Sequence, residues 1–203
     1  MIRITSNELA AQSVYMYGAM QKPEEFSRLL ELVDVSRPRV ILEIGVGNCG
    51  STWAWSKLDS VEEIICIDLP SGNWGGNEES LVRERLQWIA NSSQAKITYI
   101  AGNSQSSECL EKVKGLVSEV DFLFIDGDHS YEGVKTDFLT YSPLVKKPGL
   151  IAFHDIAEHA PETGCEVKRF WDEVKVSGIP EDQYSEFILQ DGKAWAGIGV
   201  VRW

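Results

Sequence analysis

Short runs of continuous apolar residues alternate along this chain with longer stretches in which apolar positions recur every three or four residues. That switching between strand-like and helix-like spacing predicts an α/β fold built on a mainly parallel sheet. Val40–Ile44, Ile64–Ile67, Ile97–Ala101, Asp121–Ile125 and Leu150–Phe153 read as buried strands. Between and after them, four groups of apolar residues keep helical spacing: Leu81, Val82, Leu86 and Ile89; Leu110, Val113 and Val117; Tyr131, Val134, Phe138 and Tyr141; and Val167, Phe170, Trp171 and Val174. Ahead of the first strand, Pro23 with Glu24 and Glu25 suits the first turn of a helix that carries Phe26, Leu29, Leu30 and Val33 inward, and Arg37-Pro38 ends it. After the last helix, Tyr184–Leu189, a tight turn at Asp191-Gly192 and a returning strand Ala194–Trp203 predict a closing antiparallel hairpin.

The chain has 203 residues and no tract of Pro, Gly and Ser that would serve as a linker, so one domain over 1–203 is expected, with 1–38 as a helical cap. Asp and Glu number 31 against 19 Lys and Arg. With no visible basic cluster, that excess disfavours a nucleic-acid partner. No apolar run approaches the ~20 residues of a membrane span, and the first residues lack the pattern of a secretory signal, so a cytoplasmic location without a membrane partner is expected. Cys49, Cys66, Cys109 and Cys165 form no CxxC pair, which suits reduced thiols.

The segment Val40-Ile-Leu-Glu43-Ile-Gly45-Val-Gly47-Asn-Cys-Gly50-Ser51 reads as a strand, a tight glycine turn and a helix start. Glycine permits positive φ and lets a ligand approach the backbone closely, and free N–H groups at a helix start favour an anionic group. Gly45, Gly47 and Gly50 satisfy the dinucleotide spacing G-x-G-x-x-G. Glu43, at the end of a strand that must be buried, is costly there unless its carboxylate meets a cationic or hydrogen-bonding ligand. Asp68 ends the second strand, where doubly wound sheets place an acid on ribose hydroxyls. Turn and acid together point to a nucleoside carrying an ammonium group.

With these motifs the sequence resembles the class I S-adenosylmethionine-dependent methyltransferases. The run FIDGDHSYEGV followed by PGLIAFHD is similar to a branch of small-molecule methyltransferases related to antibiotic-tailoring and catechol-type O-methyltransferases. The resemblance implies a Rossmann-like, doubly wound, seven-stranded sheet of order 3-2-1-4-5-7-6 with a terminal antiparallel hairpin and S-adenosylmethionine at the carboxyl ends of its first four strands. By position, Glu43, Gly45, Gly47, Gly50 and Ser51 would hold the methionine part. Asp68 would hold the ribose, Asn103 and Ser104 would enclose the adenine, and Asp128 would sit near the methionine end.

Asp126-Gly127-Asp128-His129 follows the fourth strand and His154-Asp155 follows the fifth. Neighbouring strands lie about 4.8 Å apart, so carboxylates at two such tips can converge on one cation. In catechol-type relatives the positions of Asp126, His154 and Asp155 hold magnesium. Histidine departs from that pattern, and imidazole is a better ligand for zinc, manganese or iron. Methyl transfer to an alcohol or phenol needs the acceptor's proton removed, by a metal or by a base. Asp126, His129 and His154 are therefore the candidate catalytic residues, and Asp126, His154 and Asp155 the candidate ligands of a divalent ion. His159 reads as a solvated loop residue. Asp126 can instead serve only as a helix cap, and His154 and Asp155 would point to opposite faces if both lay in the strand. Glycine-rich 71–77 suits a mobile cover, with Trp74 over the substrate or against the sheet edge, and Tyr15–Met20 suits a wall of the pocket or a dimer contact. The reading is a methyltransferase acting on a small-molecule hydroxyl, with a homo-oligomer left open. The alternatives are an NAD(P)-dependent oxidoreductase, from which Glu43 and the terminal hairpin detract, and a catalytically silent cofactor-binding protein.

Overall fold

The structure is a computed structural model and describes residues 4–203. Five parallel strands, β1 (Val40–Ile44), β2 (Glu63–Asp68), β3 (Lys96–Ala101), β4 (Val120–Ile125) and β5 (Val145–His154), are completed by β6 (Tyr184–Phe187) and β7 (Ile198–Arg202). The sheet order is β3-β2-β1-β4-β5-β7-β6, with β7 antiparallel to β5 and β6 antiparallel to β7. That is the topology that the family resemblance implies.

The strand side chains divide between two cores by the alternation of the extended chain. Ile41, Ile64, Cys66, Phe122 and Phe124 face one core with α1 (Ser6–Tyr17), α2 (Pro23–Ser36), α3 (Gly50–Trp55) and α4 (Glu79–Asn91). Leu42, Ile44, Ile65, Ile67, Leu123 and Ile125 face the other, with α5 (Ser107–Leu116), α6 (Tyr131–Tyr141) and α7 (Val167–Val176). Helix α1 is an element that apolar spacing did not announce. Thr5 and Glu8 form a reciprocal capping box at its start, and Gly18 closes it in the left-handed region. Trp53 and Trp55 are both core, with Tyr17 stacked on Trp53 at 4.0 Å.

The closing hairpin is shorter than the sequence suggests. Strand β6 stops at Phe187 and β7 starts at Ile198, so 188–197 is a loop rather than two strand ends joined tightly at Asp191-Gly192. The reason is a competing partner: the buried Glu25 carboxylate on α2 accepts from Leu189 N (2.6 Å) and Gly197 N (2.8 Å), at both ends of the loop. Those N–H groups bond a side chain where a longer ladder would have used backbone carbonyls.

Glu43 shares the parity of Ile41 and so points into the α1–α4 core, fully buried. It accepts from Thr52 Oγ1 (2.5 Å) and Trp55 Nε1 (3.1 Å), which fastens α3 to β1. Burial pushes its pKa up to about 7, against hydrogen bonds from Ser51, Thr52 and Trp55 that favour the charged form.

Two stability predictions follow from these carboxylates. Glu25→Ala leaves the buried Gly197 N–H and the more exposed Leu189 N–H without their partner and is expected to cost roughly 1–4 kcal/mol in denaturant unfolding; no change would show that the loop does not depend on Glu25. Folded Glu43 holds its proton from its ordinary 4.5 up to about 7, where the unfolded chain has released it. This group therefore makes stability fall as pH rises through that window, by on the order of 3 kcal/mol. Glu43→Gln removes that dependence, so unfolding at pH 5 and pH 8 should show the variant gaining on wild type at the higher pH. A constant difference would contradict it.

Candidate functional site

The carboxyl ends of β1, β2, β3 and β4 open into a cleft with about 190 Å³ of interior space. The glycine turn forms its floor. Gly45 has φ +82°, and a Cβ there would lie 1.9 Å from the Asp126 carbonyl oxygen, so only glycine lets the β1 and β4 tips pack. Gly47, at φ +46°, has nothing within 4 Å of the same construction and leaves its backbone open. Gly50 serves packing instead: a Cβ there would meet Ala19 N at 2.3 Å, where the cap crosses α3.

Asp68 lines the cleft and accepts from Val46 N (2.9 Å) and Gly47 N (3.0 Å), so the acid at the β2 tip also shapes the turn. Burial raises its pKa and those backbone donors oppose the rise. Asn103 and Ser104, just past the neighbouring β3 tip, also line the cleft. Asn103 Oδ1 accepts from Gln105 N (2.9 Å), and the Ser104 carbonyl accepts from Tyr141 Oη (2.7 Å). Asp128 is held by Ser130 N (2.9 Å) and Gln105 Nε2 (3.2 Å). Of the expected cofactor residues, Gly45, Gly47, Ser51, Asp68, Asn103, Ser104 and Asp128 line the cleft, and Glu43 and Gly50 do not. Ala19, Met20 and Gln21 between α1 and α2 add a wall from the cap, and Gln105 adds a polar contact that no motif announced.

At the β4 end the cleft meets a cluster of acids and histidines. Asp126 and His129 line the cleft; His154 and Asp155 lie behind them, buried. His154 Nδ1 is 3.2 Å from both Asp126 Oδ1 and Asp155 Oδ2. His129 spans the same two carboxylates, with Nε2 3.4 Å from Asp126 Oδ1 and Nδ1 3.1 Å from Asp155 Oδ2. His154 and Asp155 converge, against the alternation of a strand, because Asp155 takes φ +63° and turns its carboxylate back. Asp126 does not cap the next helix; Ser130 does, accepting from Gly133 N, and Asp126 accepts from Gln21 Nε2 (2.9 Å). His159 is no solvated loop residue: its side chain is 9% exposed and Nε2 lies 3.2 Å from Asp155 Oδ1. Trp74 stacks on His129 at 4.8 Å between ring centroids, so 71–77 covers this end of the cleft.

Burial disfavours the charged imidazoles, but Asp126, Cys165 and Asp155 outweigh it at His129, whose pKa stands at about 10. Asp126 and Asp155 likewise hold His154 well above its ordinary value. The Asp155 carboxyl is held well below the usual range: burial opposes, and His154, His159 and His129 prevail. Asp126, His154 and Asp155 offer three ligand atoms within 4.8 Å of one another. His154 Nε2 is buried without a hydrogen-bond partner. The set fits a divalent ion that accepts nitrogen as well as oxygen ligands.

Tyr131 and Lys135 have the Tyr-x-x-x-Lys spacing that short-chain reductases use, and Lys135 Nζ does reach Tyr131 Oη (2.8 Å). Both turn to Glu173 on α7 and neither lines the cleft, so the pair serves helix packing.

The model of a family described as a methyltransferase domain matches residues 42–156. The chain is 30% identical over 118 residues to the uncharacterized protein R132 of Acanthamoeba polyphaga mimivirus, covering 58% of this chain and 52% of that one. It is 25% identical over 155 residues to the uncharacterized protein y4gI of Sinorhizobium fredii, covering 70% and 16%. It therefore spans about half the length of the first relative and about a sixth of the second. Similar folds include the O-methyltransferase TomG of Streptomyces achromogenes, solved with S-adenosylmethionine (TM-score 0.65, 17% identity, 96% of this chain and 87% of that one). An O-methyltransferase of Bacillus cereus in complex with S-adenosylhomocysteine gives TM-score 0.62 and 18% identity over 100% and 93%. MycE of the mycinamycin pathway, solved with magnesium, S-adenosylhomocysteine and mycinamycin VI, gives 0.67 and 16% over 99% and 55%. The family match covers more than half of the chain, its strands take the order of that fold, and no reductase dyad faces the cleft: the chain belongs to the methyltransferase-domain family.

Proposed function

We propose that this chain transfers a methyl group to a hydroxyl oxygen of a small molecule, with a divalent ion at Asp126, His154 and Asp155. The observation that carries the reading is the continuity of the two halves of the site: one cleft runs from Asp68 and Asn103 to Asp126 and His129, where the acid–histidine cluster begins.

Asp68 receives the ribose hydroxyls, and Asn103 and Ser104 border the adenine. The open backbone of Gly45 and Gly47 passes beside the chain that leads to the sulfonium, with Ser51 and Asp128 at its polar end. Glu43 acts from behind the turn, through Ser51, Thr52 and Trp55, rather than by touching the ligand. S-adenosylmethionine, when bound, supplies an electrophilic methyl group, and the ion, when bound, holds the acceptor oxygen and lowers its pKa. Trp74 and Met20 shield the reacting end from water. With Asp126 and Asp155 engaged by a cation, the negative charge that keeps His129 protonated is withdrawn, and its imidazole is free to accept the acceptor's proton.

S-adenosylhomocysteine at 100 times its dissociation constant should stabilise the protein by about 2.7 kcal/mol, a rise of about 5–10 °C in Tm for a chain of this size. Asp68→Ala should weaken that binding at least tenfold, and NADH should have no effect on either protein. Stabilisation by NADH alone would overturn the cofactor assignment. Across a panel of phenols, sugars and hydroxylated macrolides, Asp126→Asn and exhaustive chelation should each lower homocysteine-nucleoside release at least 100-fold while leaving S-adenosylhomocysteine binding intact. Undiminished turnover after chelation would remove the ion from the mechanism.

A further inference from the structure

The acid–histidine cluster contains more ligand atoms than one ion at Asp126, His154 and Asp155 would use. Cys165, in the loop between β5 and α7, brings a thiol to the Asp155 carboxylate. Cys165, His129 and Asp155 offer ligand atoms that all lie within 4.8 Å of one another, and the two triplets share only Asp155. The backbone fixes this meeting: Glu166 N donates to the His129 carbonyl at 2.8 Å, so the residue after Cys165 is tied to the residue it faces, and Thr163 Oγ1 accepts from Cys165 N. Cys165 is a free thiol. His159 Nε2 lies 3.2 Å from Asp155 Oδ1, which also accepts from Ala196 N (3.2 Å). A cation is the ligand class that carboxylate, imidazole and thiolate satisfy together.

We propose that Cys165, His129 and Asp155 form a second metal site, distinct from the Asp126 set, that takes a thiophilic divalent ion such as zinc; an ion there takes His129 out of proton transfer. Sulfur is the discriminating ligand: thiolate with imidazole and carboxylate suits zinc and cobalt, whereas magnesium selects oxygen alone. Asp155 is common to both triplets, with its Oδ2 3.2 Å from His154 Nδ1 and 3.1 Å from His129 Nδ1. The site would also pin the loop that carries Gly164, where a Cβ would meet the Trp74 ring at 3.7 Å. It would thereby set the height of the cover over His129.

The test uses the full chain, stripped of metal with a chelator under reducing conditions and titrated with cobalt and then zinc. Wild type should develop a thiolate-to-cobalt charge-transfer band. Cys165→Ser should lack the band and bind zinc at this site at least tenfold more weakly, while Asp126→Asn should keep the band. A wild-type protein with no such band, or a Cys165→Ser variant with an identical one, would overturn the proposal. S-adenosylhomocysteine binding measured on the same samples reports the cofactor cleft separately, so failure of this site is distinguishable from failure of the methyltransferase reading.

Discussion

Three neighbouring parallel strands of this molecule run out at one level, and its chemistry depends on that coincidence. Ile44 of β1 pairs with Ile125 of β4, and Ile125 pairs with Phe153 of β5, so Gly45, Asp126 and His154 each stand one residue beyond a shared rung. The register brings the turn that can receive a nucleoside next to the acids that can hold a cation. It also explains why Gly45 has no side chain, since the Asp126 carbonyl fills that space.

Charge distribution follows from the same edge. Glu43, Asp68, Asp126 and Asp155 all lie near the strand tips, yet their surroundings differ. Glu43 hydrogen-bonds only neutral donors and is pushed toward its protonated form by burial, whereas Asp126 faces two imidazoles and Asp155 three, and both stay ionised. A carboxylate that binds a cation must be ionised, and one that fastens two elements need not be. Burial among neutral donors thus makes Glu43 a structural acid, while the imidazoles beside Asp126 and Asp155 keep those two fit for binding a cation.

Much of this was legible in the chain. Continuous apolar runs gave the five parallel strands, and DGDHSYE with HD marked the tips of β4 and β5 before any geometry was known. Glu43 was harder. Its parity with Ile41 pointed to the core, but a strand tip leaves open whether the side chain reaches past the edge, and Thr52 and Trp55 are recognisable as partners only once α3 is placed. The convergence of His154 and Asp155 depends on one left-handed residue that no spacing rule supplies. His159 and Cys165 lie in an irregular loop without periodicity, so their arrival at Asp155 is a product of tertiary packing. Helix α1 did carry a signal, in the Thr5 and Glu8 capping box. The shortened hairpin depends on Glu25, distant in sequence from the loop it holds.

The claim at the centre of this account is that one continuous site binds nucleoside at β1–β3 and cation at β4–β5. The most direct measurement is a crystal structure grown with S-adenosylhomocysteine and manganese, with the ion located by anomalous scattering. The account predicts ribose on Asp68, adenine beside Asn103 and an anomalous peak at ligand distance from Asp126, His154 and Asp155. A nucleoside bound elsewhere, or a cluster with no peak at saturating manganese, would contradict it.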